Sequence, residues 1–135
     1  MVTAVDSSVL IDVICDDAKF ADKSIATIKK ARDEGQIIIC ECVLAEISPA
    51  LYPTDIASFL STWDIGFKPS SEETARLAGE FYTLFCKRKS SGHILSDFLV
   101  GAHAIVYADR LLTRDKGYYR DYFKKLKILD PSKLS

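Results

Sequence analysis

Five short apolar runs, set apart by longer amphipathic stretches, are the clearest pattern along this chain. Runs of this length, bounded by polar residues and rich in β-branched side chains, are typical of strands. The run at residues 36–40 has three consecutive isoleucines, which predicts a strand covered on both faces. Strands are predicted at residues 3–5, 36–40, 64–67, 111–113 and 127–129.

The stretches between these runs carry apolar residues three and four positions apart, which is the spacing of one helix face. Residues 97–108 are apolar almost throughout, so we expect a central, buried helix there. At least one helical segment separates most predicted strands from the next. Helices are predicted from residue 9, over residues 24–32, 43–47, 54–60 and 97–108, and from residues 70–73 to about residue 89, with a helical turn at residues 118–123.

Start and stop signals set the limits of these helices. Ser70 and Glu73 have the spacing of a capping box, and Gly35 is expected to end the second helix. Pro49 is expected to stop the third, because proline has no backbone N–H to donate. Helix N-caps are predicted at Ser7 or Ser8, Thr54, Ser70 and Ser96.

Alternating strands and helices predict an α/β fold, a three-layer α/β/α sandwich with a mostly parallel central sheet. The 135 residues suit one unit of ordinary size, so we expect a single domain over residues 1–135. In such sheets, ligands bind beyond the carboxyl ends of the strands, where the strand order reverses. The predicted fold therefore indicates where a site should lie.

Composition excludes several classes of protein. The apolar runs are too short to span a bilayer, and the first residues lack the charged and apolar regions of a signal peptide. We therefore expect the mature protein to begin at Met1 and to be cytoplasmic, without membrane contact. Four cysteines without a CxxC pair, beside only two histidines, favour reduced core residues over a zinc site.

The net charge of −1 does not by itself indicate a nucleic-acid binder, but basic residues are concentrated near the end of the chain. Seven lie between residues 110 and 127, against two acids. This concentration predicts a phosphate-binding surface, while an ordinary solvated face remains the alternative. The candidate substrate-binding residues are Arg114, Lys116 and Arg120.

Four carboxylates lie where predicted strands end or helices begin: Asp6, Glu46, Asp97 and Asp115. A buried carboxylate without a partner is costly, so several acids at the ends of core elements indicate a shared ligand. The ligand that suits clustered carboxylates is a hard divalent cation, Mg²⁺ or Mn²⁺. Such ions activate water and stabilise the leaving oxygen in phosphate chemistry.

Each acid also has a purely local alternative. Asp6 could cap a helix, Asp97 could complement a helix dipole, Glu46 could pair with a surface base, and Asp115 could form a turn. The hydroxyls of Ser7 and Thr113 adjoin the acids and could orient a ligand or cap locally. His103, inside the apolar helix, is interpreted as a satisfied core residue. The case for a site is that one ligand explains all four acids.

Four segments resemble the motifs of one family. They are Val-Asp-Ser-Ser-Val-Leu-Ile-Asp at residues 5–12, Leu-Ala-Glu-Ile at 44–47, Ser-Asp-Phe-Leu-Val-Gly-Ala-His-Ala at 96–104, and Leu-Leu-Thr-Arg-Asp at 111–115. Their order and content resemble PIN-domain proteins, and in particular the VapC-type toxins of prokaryotic toxin–antitoxin pairs. The resemblance spans essentially the whole chain.

The resemblance implies a Mg²⁺- or Mn²⁺-dependent endoribonuclease. By the matching positions, the acids named above would be catalytic and would hold the metal, with Asp6 and Asp97 as the surest ligands. Ser7 and Thr113 would support them. The resemblance also implies an RNA substrate, a homodimer and a cognate antitoxin that blocks the site.

Two other hypotheses compete with the nuclease. A catalytically silent PIN-like module would bind RNA or protein without cutting, although four retained acids argue against it. A phosphoacceptor receiver domain would need an acidic pair after the first strand, and Asp6 is followed by two serines. Residues 36–40 also run into Glu41, where that class needs an aspartate.

Overall fold

A strand at Val2–Val5, β1, lies at the centre of the computed structural model, which describes residues 1–88, 92–115, 119 and 121–133. The other strands are β2 (Gln36–Ile39), β3 (Ile65–Phe67), β4 (Arg110–Leu112) and β5 (Ile128–Leu129). They form one sheet in the order β3-β2-β1-β4-β5, and every recorded pair is parallel. The chain extends the sheet first on one side of β1 and then on the other, so the strand order reverses at β1.

Six helices whose limits lie within the described residues flank the sheet, which confirms the predicted α/β sandwich. They are α1 (Ser7–Ile14), α2 (Ala21–Glu34), α3 (Glu41–Leu51), α4 (Ile56–Thr62), α5 (Glu72–Lys87) and α6 (Leu95–Tyr107), followed by a short 3₁₀ helix at Pro131–Lys133. The apolar helix predicted around residues 97–108 is α6, and most of its first three turns is buried. Gly35 ends α2, as its position predicts.

The predicted N-caps were displaced by one or two residues. The side chain of Asp6 caps α1, Asp55 caps α4 and Ser71 caps α5. At the start of α6, Asp97 reaches back from the first turn and accepts a hydrogen bond from the backbone N–H of Ile94 at 3.0 Å. The predictions at Ser7 or Ser8, Thr54, Ser70 and Ser96 were therefore wrong. Each observed cap lies close to the predicted residue. The amino-acid preferences of the N-cap position therefore did not distinguish between neighbouring polar residues.

The third helix, predicted to stop near Pro49, contains Pro49 and ends two residues past it, at Leu51. Proline removes one hydrogen-bond donor, but the helix ends two residues later. The N–H of Tyr52 still donates to the Ser48 carbonyl at 3.1 Å. A proline this close to a helix end therefore costs less than one in the interior.

The segment predicted as a helical turn at residues 118–123 is described only in part. The N–H of Phe123 donates to the Tyr119 carbonyl at 2.8 Å, and both rings are fully buried. Both aromatic rings therefore belong to the core. Residues 118 and 120, and most of the loop predicted at residues 90–92, lie outside the described residues.

Gly101 allows α6 to approach that aromatic pair. A Cβ at this position would lie 2.8 Å from the Phe123 ring and 3.0 Å from the Tyr119 ring. Contacts this short force a buried ring or the helix to move. The absence of a side chain at Gly101 is therefore a packing requirement.

We expect Gly101→Ala to destabilise the protein by about 1–3 kcal/mol through overpacking. Gly79→Ala is the matched control, because Gly79 is also inside a helix but has nothing within 4 Å of the added Cβ. It should stabilise the protein by roughly 0.5–1 kcal/mol. Urea unfolding of both variants measures the difference, and equal stability would contradict the packing argument.

His103 joins the buried face of α6 to the segment after β3. Its Nε2 lies 2.7 Å from the Lys68 carbonyl oxygen, so the ring carries its proton on Nε2. Burial lowers the pKa of His103, and the nearby Glu41 and the hydrogen bond to Lys68 oppose only part of that shift. His103 is a satisfied core residue, as interpreted from the sequence.

The lowered pKa of His103 predicts a loss of stability in mild acid. Above the ordinary value of 6.5, the imidazole is neutral in both states. As the pH falls through 6.5 and then through the lower folded-state pKa, the unfolded chain takes up the proton first, so the free energy of unfolding decreases. His103→Gln can keep the donor to Lys68 but cannot titrate. Urea titrations at several pH values should show a shallower acid loss in this variant, and parallel curves would contradict the assignment.

Candidate acidic site

Asp6 follows β1 directly and is held by protein donors on both carboxylate oxygens. Its backbone N–H donates to the Leu112 carbonyl at 2.9 Å, which joins the ends of β1 and β4. Its Oδ1 accepts from the Ser7 N–H at 2.8 Å. Its Oδ2 accepts from the Thr113 hydroxyl at 2.7 Å. The orientation of this carboxylate is thus fixed by the fold before any ligand binds.

Thr113 links Asp6 to Asp115. Its buried hydroxyl donates to Asp6 and accepts from the backbone N–H of Asp115 at 3.0 Å. The Asp115 side chain itself is half exposed. Thr113 therefore orients the carboxylate of Asp6 and holds the backbone of Asp115.

Glu46 reaches the same edge of the sheet from α3, the helix after β2. Burial raises the pKa of Glu46, and the carboxylates of Asp6 and Asp97 raise it further. A hydrogen bond from the Ser7 side chain opposes the rise. Ser7 thus contributes its backbone N–H to Asp6 and its hydroxyl to Glu46.

The carboxylates also act on Asp6. Burial raises the pKa of Asp6 most, and Asp97 and Asp115 raise it further by repulsion. The hydrogen bonds from Thr113 and Ser7 lower it only in part. The structure therefore brings all four predicted acids within electrostatic reach, although they are widely separated along the sequence.

The local alternatives proved partly correct. Asp6 caps α1 and Asp97 caps the start of α6, so each acid combines a local role with its place in the cluster. The turn suggested for Asp115 involves residues 116 and 117, which lie outside the described residues.

Cys42 lies one helical turn before Glu46. Burial raises the pKa of Cys42 to about 12, and the negative groups around it, including Glu41 and Glu46, add to the rise. The thiol stays protonated at neutral pH. Its resistance to ionisation reports the same shielded, negatively charged environment as the acids.

Arg114 is held by a buried acid. Its guanidinium forms two hydrogen bonds with Asp12, at 2.7 and 3.0 Å, and lies 4.0 Å from the centre of the Phe20 ring. Asp12 also accepts from the Ser24 hydroxyl at 3.1 Å. This ion pair anchors the segment between Thr113 and Asp115 to α1. Lys116 and Arg120, the other predicted substrate-binding residues, lie outside the described residues.

The sequence analysis missed His93 as a member of this cluster. Its Nδ1 lies 3.4 Å from Asp97 Oδ2 and 3.7 Å from Asp115 Oδ2. The available signal was its spacing, since His93 precedes Asp97 by four residues. That spacing carries little information next to a helix start, where the intervening backbone is irregular.

The donor chemistry of this cluster fits a hard divalent cation. Four carboxylates converge beyond one edge of the sheet, and a bound cation would relieve the repulsion among them. Within the described ranges, no three His, Cys, Asp or Glu side chains already lie close enough to hold a metal ion. The acids therefore fit a metal in kind and location, and would have to draw closer on binding.

Residues 3–124 match the model of the PIN-domain family. The match covers most of the chain, and the chain belongs to the PIN-domain family. The family expected from the motifs is therefore confirmed. A comparison with curated proteins gave no significant match.

Solved structures share the fold at low sequence identity. A chain of VapBC2 from Rickettsia felis, bound to a DNA fragment from its promoter, has a TM-score of 0.71 and 17% identity, covering 96% of this chain and 98% of the other. VapBC-1 from nontypeable Haemophilus influenzae has a TM-score of 0.71 and 14% identity, covering 98% of this chain and 100% of the other. FitAcB from Neisseria gonorrhoeae has a TM-score of 0.68 and 14% identity, covering 98% of this chain and 99% of the other. The fold is thus shared over the full length of these chains.

None of the helices in the described part of the chain is both long enough and apolar enough to cross a bilayer.

The raised pKa of Asp6 predicts how the metal-free protein responds to pH. Because the folded-state pKa lies above the ordinary value of 3.8, the stability contribution of Asp6 is present below pH 3.8 and is lost as pH rises through the folded-state pKa. We expect Asp6→Asn to gain stability relative to the parent as pH rises over that window. Urea unfolding in EDTA at several pH values measures this gain.

Asp33→Asn is the control for that series, because Asp33 is an exposed acid on α2, remote in sequence from the cluster. It should follow the parent at every pH. A difference between Asp6→Asn and the parent that does not change with pH would contradict the raised pKa.

Proposed function

We propose that this chain is a divalent-metal-dependent endoribonuclease that hydrolyses RNA phosphodiester bonds, and that it is the VapC-type toxin of a toxin–antitoxin pair. The observation that carries the proposal is the convergence of Asp6, Glu46, Asp97 and Asp115 where the strand order reverses. PIN domains are generally nucleases, which supports hydrolysis of a nucleic acid. The similar folds in VapBC complexes support the toxin role.

In this proposal, Asp6 and Asp97 are the principal metal ligands, with Glu46 and Asp115 binding directly or through water. Mg²⁺ or Mn²⁺ would polarise a phosphate oxygen and lower the pKa of a bound water. Thr113 and Ser7 keep the carboxylates of Asp6 and Glu46 oriented. Metal binding would then draw together carboxylates whose orientations these hydroxyls already restrict.

Other residues position the acidic segment after β4 or contact the substrate. The Asp12–Arg114 ion pair fixes the segment that carries Thr113 and Asp115. The Arg114 side chain stays about one-third exposed, and in this proposal its guanidinium contacts a phosphate while Asp12 holds it in place. Lys116 and Arg120 are proposed as further phosphate contacts.

The proposal extends to partners and location. The similar folds come from VapBC complexes, which supports a cognate antitoxin for this chain. We also propose a homodimer in the cytoplasm, where RNA is the available substrate.

Cleavage of a panel of structured and single-stranded RNAs tests the activity. With Mn²⁺ or Mg²⁺ we expect products that EDTA abolishes. Asp6→Asn and Asp97→Asn should each lower the cleavage rate by about a thousandfold or more, since both remove a ligand of a catalytic ion. Asp33→Asn should cut as the parent does.

Two results would contradict the nuclease. Cleavage by a well-folded Asp6→Asn protein, prepared free of contaminating nuclease, would place the chemistry elsewhere. Binding of Mn²⁺ and RNA without cleavage of any RNA in the panel would favour the catalytically silent module.

A further inference from the structure

His93 lies between two acids that come from different parts of the fold. Asp97 is in the first turn of α6, and Asp115 follows β4 near the other end of the chain. The Nδ1 atom of His93 approaches one carboxylate oxygen of each, at 3.4 and 3.7 Å. One imidazole nitrogen therefore lies close to both carboxylates at the same time.

The position of this ring is set by its surroundings. The ring packs edge-on against Phe85, with centroids 6.0 Å apart and planes at 69°. The preceding Gly92 has a φ of +96°, a backbone conformation that glycine adopts readily and other residues rarely do. The side chain is about one-quarter exposed. The turn and the aromatic contact together direct Nδ1 towards the acids.

The spacing is close to that of ligands around one ion. Donor atoms about 2.1 Å from a shared metal lie roughly 3.0–3.4 Å from one another. The separations from His93 to the two acids are at or slightly above that range. The described residues contain no complete three-ligand group, so a small approach of the carboxylates would still be needed.

We propose that His93 is a further ligand of the divalent cation and makes the site favour a transition ion such as Mn²⁺ over Mg²⁺. This rests on the proposed function, in which Asp97 and Asp115 are metal ligands. Mg²⁺ binds oxygen almost exclusively, whereas imidazole nitrogen increases the affinity for transition ions. An all-carboxylate site would lack this source of discrimination.

The test uses the purified full chain with Mn²⁺ alone, and with Mg²⁺ as competitor. Pulsed electron paramagnetic resonance of bound Mn²⁺ should show coupling to an imidazole nitrogen in the parent protein. In His93→Asn the coupling should disappear, and the Mn²⁺ affinity measured by calorimetry should fall roughly ten- to hundredfold. The Mg²⁺ affinity should change far less, because the asparagine can still offer an oxygen.

His103 is the internal control, since the chain has only two histidines and His103 is buried with Nε2 engaged by the Lys68 carbonyl. Imidazole coupling that persists in His93→Asn would overturn the proposal by assigning the nitrogen elsewhere. Thermal unfolding of the metal-free variant checks that the fold is retained.

Asp97→Asn separates failure of this proposal from failure of the proposed function. If Mn²⁺ binds the parent, and binding is lost in Asp97→Asn, but no imidazole coupling is seen, then His93 is not a ligand while the acidic metal site stands. If the parent binds no Mn²⁺ at all, both the His93 proposal and the metal requirement fail.

Discussion

Concentrating negative charge beyond the end of a buried strand is unfavourable, and much of the architecture around β1 serves to support it. Burial and repulsion both raise the pKa of Asp6, so the ionised cluster opposes folding when no cation is present. Donors from Ser7 and Thr113 recover part of that cost. The Asp12–Arg114 pair supplies a compensated charge nearby and ties the second acidic segment to α1. A folded chain that tolerates this arrangement has retained it at the expense of stability.

The sequence predicted the sheet, the order of elements and the gathering of the acids because these depend on strong, non-local patterns. Consecutive isoleucines in β2 and the nearly continuous apolar stretch of α6 leave few alternatives to burial. The acids stood out because they interrupt such stretches. Parallel strands then place the ends of β1 and β4 together whatever the details of the loops.

Features that depend on the choice between neighbouring polar residues were not predictable in this way. Which of two adjacent side chains caps a helix is decided by less than the energy of one hydrogen bond, so Asp6 and Ser71 were not distinguished from their neighbours. The contact of His93 with Asp97 and Asp115 depends on the turn at Gly92. Arg114 shows the limit most clearly: the basic segment around it predicted contact with substrate, but nothing local indicated that its guanidinium pairs with Asp12, which lies 102 positions earlier.

The central position of β1 also bears on how the protein is synthesised. β1 can pair with β2 as soon as that strand has been made, but its other edge is completed only by β4, where contacts such as Thr3 with Arg110 span 107 residues. A nascent chain that ends before α6 carries Asp6 and Glu46 without Asp97 or Asp115. If the four acids act together as proposed, such a chain lacks a complete site, so activity towards RNA would begin only after the segments around α6 and β4 have been made.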